Sequence, residues 1–158
     1  DVAFFGLSDV DRDGNVNTTN LNGKIAGVGG FPNISANAKH SVFVGFFTAG
    51  GLKCHLEDGK LVIDQEGRFD KFVNGCRQLS FNAEQSLAKG NKVTFITERC
   101  VLVRTKEGMV LTEIAPGVDL KTQVLDHIGF DPIIPEGGPG LMDERLFQET
   151  WGYLRDTF

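Results

Sequence analysis

Apolar residues along this chain come in short, dense runs broken by glycine and aspartate, a rhythm of strands more than of long helices. VAFFGL (2–7) and SVFVGFF (41–47) are compact runs rich in Val and Phe, of the kind that forms buried strands. LKCHLEDGKLVIDQEG (52–67) alternates around Asp58-Gly59 and predicts a hairpin. RFDKFVN (68–74) and QLSF (78–81) continue in short strand-like pieces. The longest β pattern, KVTFITERCVLVRTKEGMVLTEIA (92–115), reads as two runs joined through Lys106-Glu107-Gly108, a long hairpin with both faces largely covered.

Helical signals are fewer. GKIAGVGGFPNISANAKH (23–40) runs from a glycine cluster into a helix-compatible stretch, with Pro32 in the first turn where its missing N–H is harmless. A helix over 120–128 has both ends marked: Asp119 as N-cap, Leu120, Val124, Leu125 and Ile128 on one face, His127 in the last turn and Gly129 beyond. FDPIIPEGGPG (130–140) is a Pro/Gly-rich loop or linker. Leu146, Phe147, Trp151, Leu154 and Phe158 recur at helical spacing, so 143–157 reads as an amphipathic helix that packs on its own domain or docks on a partner. The fold class is therefore α/β, a mixed, β-rich sheet covered by helices near 32–40, 120–128 and 143–157. The body of the domain occupies 1–141, and 142–158 form its C-terminal helix.

SDVDRDGNVN (8–17) puts Asp9, Asp11, Asp13 and Gly14 on the first, third, fifth and sixth positions of a helix-loop-helix calcium loop. The twelfth position should be a bidentate glutamate, and here it is Asn20. Its flank is also a strand and not a helix, so the stretch reads as a tight turn with Gly14 free to take positive φ.

A length of 158 residues suits one domain with a proper core. With 41% hydrophobic and 23% charged residues the composition is that of a soluble globular protein, and no apolar run approaches the roughly 20 residues needed to span a bilayer. The net charge of −5, with lysines and arginines scattered along the chain, argues against nucleic acid as a partner. Cys54, Cys76 and Cys100 stand far apart without a CxxC pair, which fits a reduced, cytoplasmic setting and small buried side chains better than a reactive thiol. His40, His55 and His127 are equally dispersed, and no metal site is expected. The chain enters a strand directly from Asp1, without an initiator Met or a secretory segment, so it is expected to be a piece of a longer protein.

AGVGGF (26–31) is the stretch that bears on chemistry. A dinucleotide loop fails, because Pro32 stands where the last glycine of GxGxxG belongs. Two readings stay open on the residues alone: a structural turn, or a close backbone approach in which successive amides face an oxyanion or a thioester carbonyl.

The order LSDVDRDGNVN, GKIAGVGGFPNISANAKH, FVGFFTAGGLK, VTFITERCVLVRTKEGMVLTEIAPGVDL and LMDERLF closely resembles the C-terminal part of the family I coenzyme A-transferases, nearest to single-chain acetate or propionate CoA-transferases, over about residues 1–147. The resemblance implies the CoA-transferase fold and ping-pong transfer of coenzyme A between short-chain acids, such as acetyl, propionyl or acetoacetyl groups, through a glutamyl-CoA thioester. It also implies a cytoplasmic homo-oligomer that uses no metal. The family's nucleophilic glutamate lies upstream of this chain, so the N-terminal part of the same enzyme is an implied partner. Glu66, Glu107 and Glu136 precede glycines but are turn residues, and Glu98 in ITER is structural, in a strand. The family's glycine loop maps onto Gly29 and Gly30 as backbone oxyanion donors, with Gly27, Val28 and Phe31 against the substrate. Thr48 to Gly51 read as a strand-ending turn that also suits the cleft wall. The competing reading is a non-catalytic module that keeps the fold and docks through 143–158.

Overall fold

The computed structural model describes residues 1–21, 23–148 and 150. In chain order the strands are β1 (Val2–Gly6), β2 (Asp9–Asp11), β3 (Val16–Asn17), β4 (Asn20–Leu21), β5 (Lys24–Ile25), β6 (His40–Val44), β7 (Thr48–Ala49), β8 (Lys53–Glu57), β9 (Lys60–Gln65), β10 (Phe69–Asp70), β11 (Phe72–Val73), β12 (Lys92–Ile96), β13 (Cys100–Arg104), β14 (Met109–Ile114) and β15 (Gly140–Leu141). The helices are α1 (Phe31–Asn37), α2 (Ala83–Ala88) and α3 (Leu120–Gln123). The central sheet runs β1-β6-β12-β13-β14-β15, with β1, β6 and β12 parallel and β13 antiparallel to both of its neighbours. Smaller two- and three-stranded pieces hang on its connections. The mixed, β-rich α/β architecture is the one expected.

One face of the sheet carries the core. Phe43 in β6 is fully buried and packs its ring at 5.3 Å from Phe5, 5.2 Å from Phe81 and 5.2 Å from Phe95, with Phe31 of α1 at 6.2 Å. These rings link three parallel strands to the helix that follows the glycine cluster, and burying each is worth about 2 kcal/mol. The far edge is different. β1 ends the strand order, and Val2 and Phe4, on alternating positions of that edge, are 55% and 72% exposed.

The short turns follow their sequence chemistry. Asp9–Asp11 pairs antiparallel with Val16–Asn17, Gly14 takes φ +76°, and Asp11 Oδ1 accepts the amides of Asp13 and Asn15, each at 3.0 Å. A carboxylate that closes its own turn in this way is a turn-former. β8 and β9 form the hairpin at Asp58-Gly59, where both residues have positive φ as a two-residue turn of this hand requires.

Elsewhere the structure departs from the pattern. The stretch 92–115 holds three strands, because Thr97, Glu98 and Arg99 form a turn: Thr97 Oγ1 accepts the amides of Arg99 and Cys100 at 3.3 and 3.0 Å. Glu98 therefore sits in a turn and not in a strand. α1 ends at Asn37 instead of residue 40, since Ala38 is extended and His40 already pairs with Val2 in the sheet. The helix expected over 120–128 stops at Gln123 and resumes as a 3-10 turn, Leu125–His127. The Gln123 carbonyl, which would accept the amide of His127 in a continuous α-helix, accepts Arg99 Nη1 at 2.8 Å instead. α2, capped by Asn82 through the amide of Gln85 at 2.8 Å, was not anticipated at all. Of the helix expected over 143–157, Glu144–Phe147 is a 3-10 turn capped by Asp143, and residues 149 and 151–158 lie outside the described residues. QLSF (78–81) forms no strand, only a bridge from Phe81 to Val16.

Among the described residues, no helix is long and apolar enough to cross a membrane.

Candidate functional site

A cleft of about 930 Å³ opens at the C-terminal end of β1, where Gly6 and Leu7 form part of its floor. In sheets with parallel strands this is the usual place for a ligand, because the chain leaves the strands there into loops free to vary. One side is made by the connection after β3: Thr18, Asn20, Gly27, Val28 and Phe31. The other is made by the strand pair β7 and β10 with their neighbours: Ala49, Arg68, Phe69 and Asp70.

The glycine loop is held at its base and open at its tip. Ala26 N donates to Thr19 O at 2.8 Å, and Phe31 N to Val28 O at 3.1 Å. Among the described residues, the amides of Gly27, Val28, Gly29 and Gly30 donate no internal hydrogen bond. A Cβ at Gly27 or Gly29 would meet nothing within 4 Å, and one at Gly30 only Ile34 Cδ1 at 3.5 Å. Gly29, at φ +52°, needs its freedom for the backbone; Gly30, at φ −80°, does not. Packing within the described chain therefore gives no reason for glycine at Gly30. Gly27, Val28 and Phe31 line the cleft, while Gly29 and Gly30 lie at its margin, outside the lining set.

The opposite wall is fixed by charge. Arg99, with a side chain fully buried, donates from Nε to Glu98 Oε1 at 2.7 Å, and from Nη1 and Nη2 to the two oxygens of Glu66 at 2.7 and 3.0 Å. Glu66 Oε1 also accepts Thr48 Oγ1 at 2.5 Å and the Gly67 amide at 3.0 Å. Burial alone raises the Glu66 pKa, but hydrogen bonds from Arg99, Thr48 and Gly67 outweigh it and hold the carboxyl at about 2. For Arg99, burial works against the charge and the two carboxylates more than restore it, so its pKa is raised.

Arg68, Lys71 and Arg77 reach the cleft from this same side, opposed by Asp9 and Asp70. Lys71 Nζ donates to Leu7 O at 3.1 Å, and burial pulls its pKa down. A chain of net charge −5 thus presents a local excess of cations here. Among the described residues no three His, Cys, Asp or Glu side chains gather as metal ligands.

Of the residues anticipated from the sequence, Gly27, Val28 and Phe31 meet in the cleft, and the TAGG segment contributes Ala49 as a short strand residue. Glu107 lies exposed at the β13–β14 turn and Glu136 exposed in the 130–140 loop. Arg68, Phe69 and the Arg99 cluster were missed. Their one sequence signal was the charged pair Glu98-Arg99 inside an otherwise apolar run, which marks a turn or a buried ion pair.

No protein-family model matches the chain. It is 47% identical over 148 residues to the acetate CoA-transferase YdiF of Escherichia coli K12, covering 93% of this chain and 28% of that protein. It is 38% identical over 161 residues to the caffeate CoA-transferase of Acetobacterium woodii, covering 98% of this chain and 30% of that protein. A crystal structure of the acyl-CoA transferase YdiF from E. coli O157:H7, in a thioester complex with CoA, superposes with a TM-score of 0.92 at 45% identity, over 95% of this chain and 29% of that one. The chain spans a little over a quarter of the length of the curated relatives it matches. Sequence and fold together make it a member of the family I coenzyme A-transferases, present as a segment of that length.

Proposed function

We propose that this chain forms the oxyanion-stabilising side of an acyl-CoA:carboxylate CoA-transferase site, and that the nucleophilic glutamate is supplied by another part of the same polypeptide. The observation that carries the reading is the glycine loop: four successive amides without internal partners among the described residues, those of Gly27 and Val28 in the cleft and those of Gly29 and Gly30 at its margin, with three of the four on glycines around which a Cβ would find room. Such donors stabilise the oxyanion that forms when a thioester carbonyl is attacked, one donor being worth about 3 kcal/mol of barrier. Gly29 and Gly30 are the donors in this reading, with Gly27, Val28 and Phe31 against the acyl-CoA.

The carboxylates in reach do not suit a nucleophile. Glu66 and Glu98 are both held by Arg99, and a carboxylate tied in this way has neither the freedom nor the basicity to attack. The carboxylates that line the cleft are aspartates, Asp9 accepting Asn17 Nδ2 at 3.1 Å and Asp70 paired with His127 Nδ1 at 3.1 Å, so in this reading the nucleophilic glutamate comes from outside the chain. The open edge of β1 and the exposed Val2 and Phe4 offer a surface on which an N-terminal part of the enzyme would pack. The cationic set of Arg68, Lys71 and Arg77 suits coenzyme A, an anion with phosphates. The acid substrates in this reading are short-chain, by likeness to the acetate enzyme; three free thiols fit a reducing cytoplasm, and the assembly is a homo-oligomer.

The test is transfer by the full-length protein from propionyl-CoA to acetate. Ping-pong kinetics, with a CoA adduct on the protein by intact mass when acceptor is withheld, support the reading. This chain alone should be silent, and the upstream segment added in trans should restore transfer. A well-folded complex that stays silent would favour the non-catalytic module.

A further inference from the structure

We propose that Arg99 is a positioning residue for the cleft: with Glu66 it clamps the β7/β10 strand pair, which carries Arg68 and Phe69, to the turn at the end of β12.

The strand pair cannot hold itself. Its ladder consists of two residue pairs, Phe69 with Ala49 and Asp70 with Thr48, far short of a self-supporting hairpin. Its two strands are nevertheless interlocked. A Cβ on Gly67 would lie 2.5 Å from Thr48 Oγ1 and 2.7 Å from Ala49 O, and one on Gly50 would lie 2.7 Å from the Phe69 ring. Arg68 Nε donates to Gly50 O at 2.9 Å, and its guanidinium lies 5.7 Å from the centre of the Phe69 ring. The pair is thus a unit whose place is set by its attachments to the rest of the domain. The exit from β10 is tied by Asp70 Oδ1 to His127 Nδ1 at 3.1 Å and by β11, which pairs with β2, and this leaves the entries to the two strands.

Arg99 fixes these entries. Its guanidinium meets Glu66 bidentately, lies 4.8 Å from the centre of the Phe47 ring, and binds the Gln123 carbonyl. Glu98, its neighbour, accepts the Phe47 amide at 2.8 Å through Oε2. Both approaches to the strand pair, through Phe47 and through Glu66, therefore end on the Thr97–Arg99 turn. A buried ion cluster of this kind is often no more stabilising than well-packed apolar residues of the same volume. What the planar fork adds is a fixed direction and register.

The kinetic arm of the test rests on the transferase reading; the structural arm does not. In the full-length protein, Glu66→Gln removes the anchor on the wall side while leaving Arg99 paired with Glu98, and Arg99→Met removes the clamp. Amide hydrogen exchange is expected to rise in 47–50 and 67–70 and to stay unchanged in β12–β14. KM for propionyl-CoA is expected to rise about tenfold, kcat changing less than about threefold, because ground-state contacts with the wall are lost. Arg99→Lys should not restore KM, since an ammonium cannot make the bidentate contact. Leu111→Val, which weakens the core away from the cleft, should leave KM unchanged. Exchange that rises uniformly or not at all, or a KM unmoved in Glu66→Gln, overturns the clamp. If Arg99→Met fails to fold, Glu66→Gln decides. If the wild-type protein transfers no CoA, the transferase reading falls and the exchange pattern alone decides the clamp.

Discussion

Asn17 holds Asn20 by both of its backbone polar groups: Oδ1 accepts the Asn20 amide at 3.0 Å, and Nδ2 donates to the Asn20 carbonyl at 2.8 Å. The same fully buried side chain also accepts the Thr19 amide and donates to Asp9 Oδ2. Thr19 in turn holds Ala26, so the base of the glycine loop hangs on this amide. Asn17→Leu takes this donor from the half-buried Asp9 carboxylate and leaves several backbone groups unpaired. The unfolding free energy should fall by about 2–4 kcal/mol, read as a shift in the urea midpoint at constant slope.

Phe43 is the hinge of the aromatic cluster, touching Phe5, Phe31, Phe81 and Phe95. Phe43→Ala should cost about 3–5 kcal/mol, the upper end of that range if the four rings cannot close over the cavity. Phe4→Ala, one residue from Phe5 and 72% exposed, should change the stability of this chain by no more than about 0.5 kcal/mol. The contrast between the two, in one denaturation series, measures which face of the sheet this chain covers by itself.

What could be read from the sequence was local. Asp58-Gly59, Asp13-Gly14 and Asp119 each carry the chemistry of their own turn or cap, and each is where it was expected. The glycine loop announced itself by its composition. What escaped depends on distant partners. The turn at Thr97–Arg99 interrupts a run of strand-forming residues because Arg99 is drawn to Glu66, thirty-three positions away, and α3 is cut short because the same guanidinium takes the Gln123 carbonyl. The second wall of the cleft belongs to this non-local set. Four charged or polar residues in a β-rich stretch do not say which of them will meet.

The cysteines should be inert. Burial pushes the Cys76 and Cys100 thiols up to about 12, and also raises that of the half-buried Cys54. At pH 7.5 the thiolate fraction at Cys76 and Cys100 is therefore negligible. Titration of the native protein with an aromatic disulfide should label Cys54 slowly and the other two only after denaturant is added.

Acid stability should carry the mark of Glu66. Its folded carboxyl titrates near 2 against an ordinary 4.5, so the unfolded chain binds the proton first as pH falls. The stabilisation from its pairing is full above the ordinary value and is lost as pH drops from about 4.5 towards 2. In Glu66→Gln that part of the acid limb should be flatter than in the wild type, while the two curves run parallel from pH 6 to 8. Chemical denaturation at a series of pH values measures the difference in slope.

Gly30 offers the sharpest separation of folding from chemistry. Its backbone, at φ −80°, accepts any residue, and a Cβ there meets only Ile34 Cδ1 at 3.5 Å. Gly30 is also the N-cap of α1, where valine is poorer than glycine, so Gly30→Val should lower the stability of this chain by no more than about 1 kcal/mol and leave it folded. If the loop amides approach a reacting carbonyl, the branched side chain occupies the space that approach requires, and loss of even one donor lowers kcat by about two to three orders of magnitude. Gly30→Ala, with a single methyl, should fall between the two. Steady-state transfer from propionyl-CoA to acetate, measured beside thermal unfolding for both variants, checks the pair. Wild-type turnover in Gly30→Val would remove the oxyanion role from this loop and leave the N-cap of α1 as the account of glycine at that position.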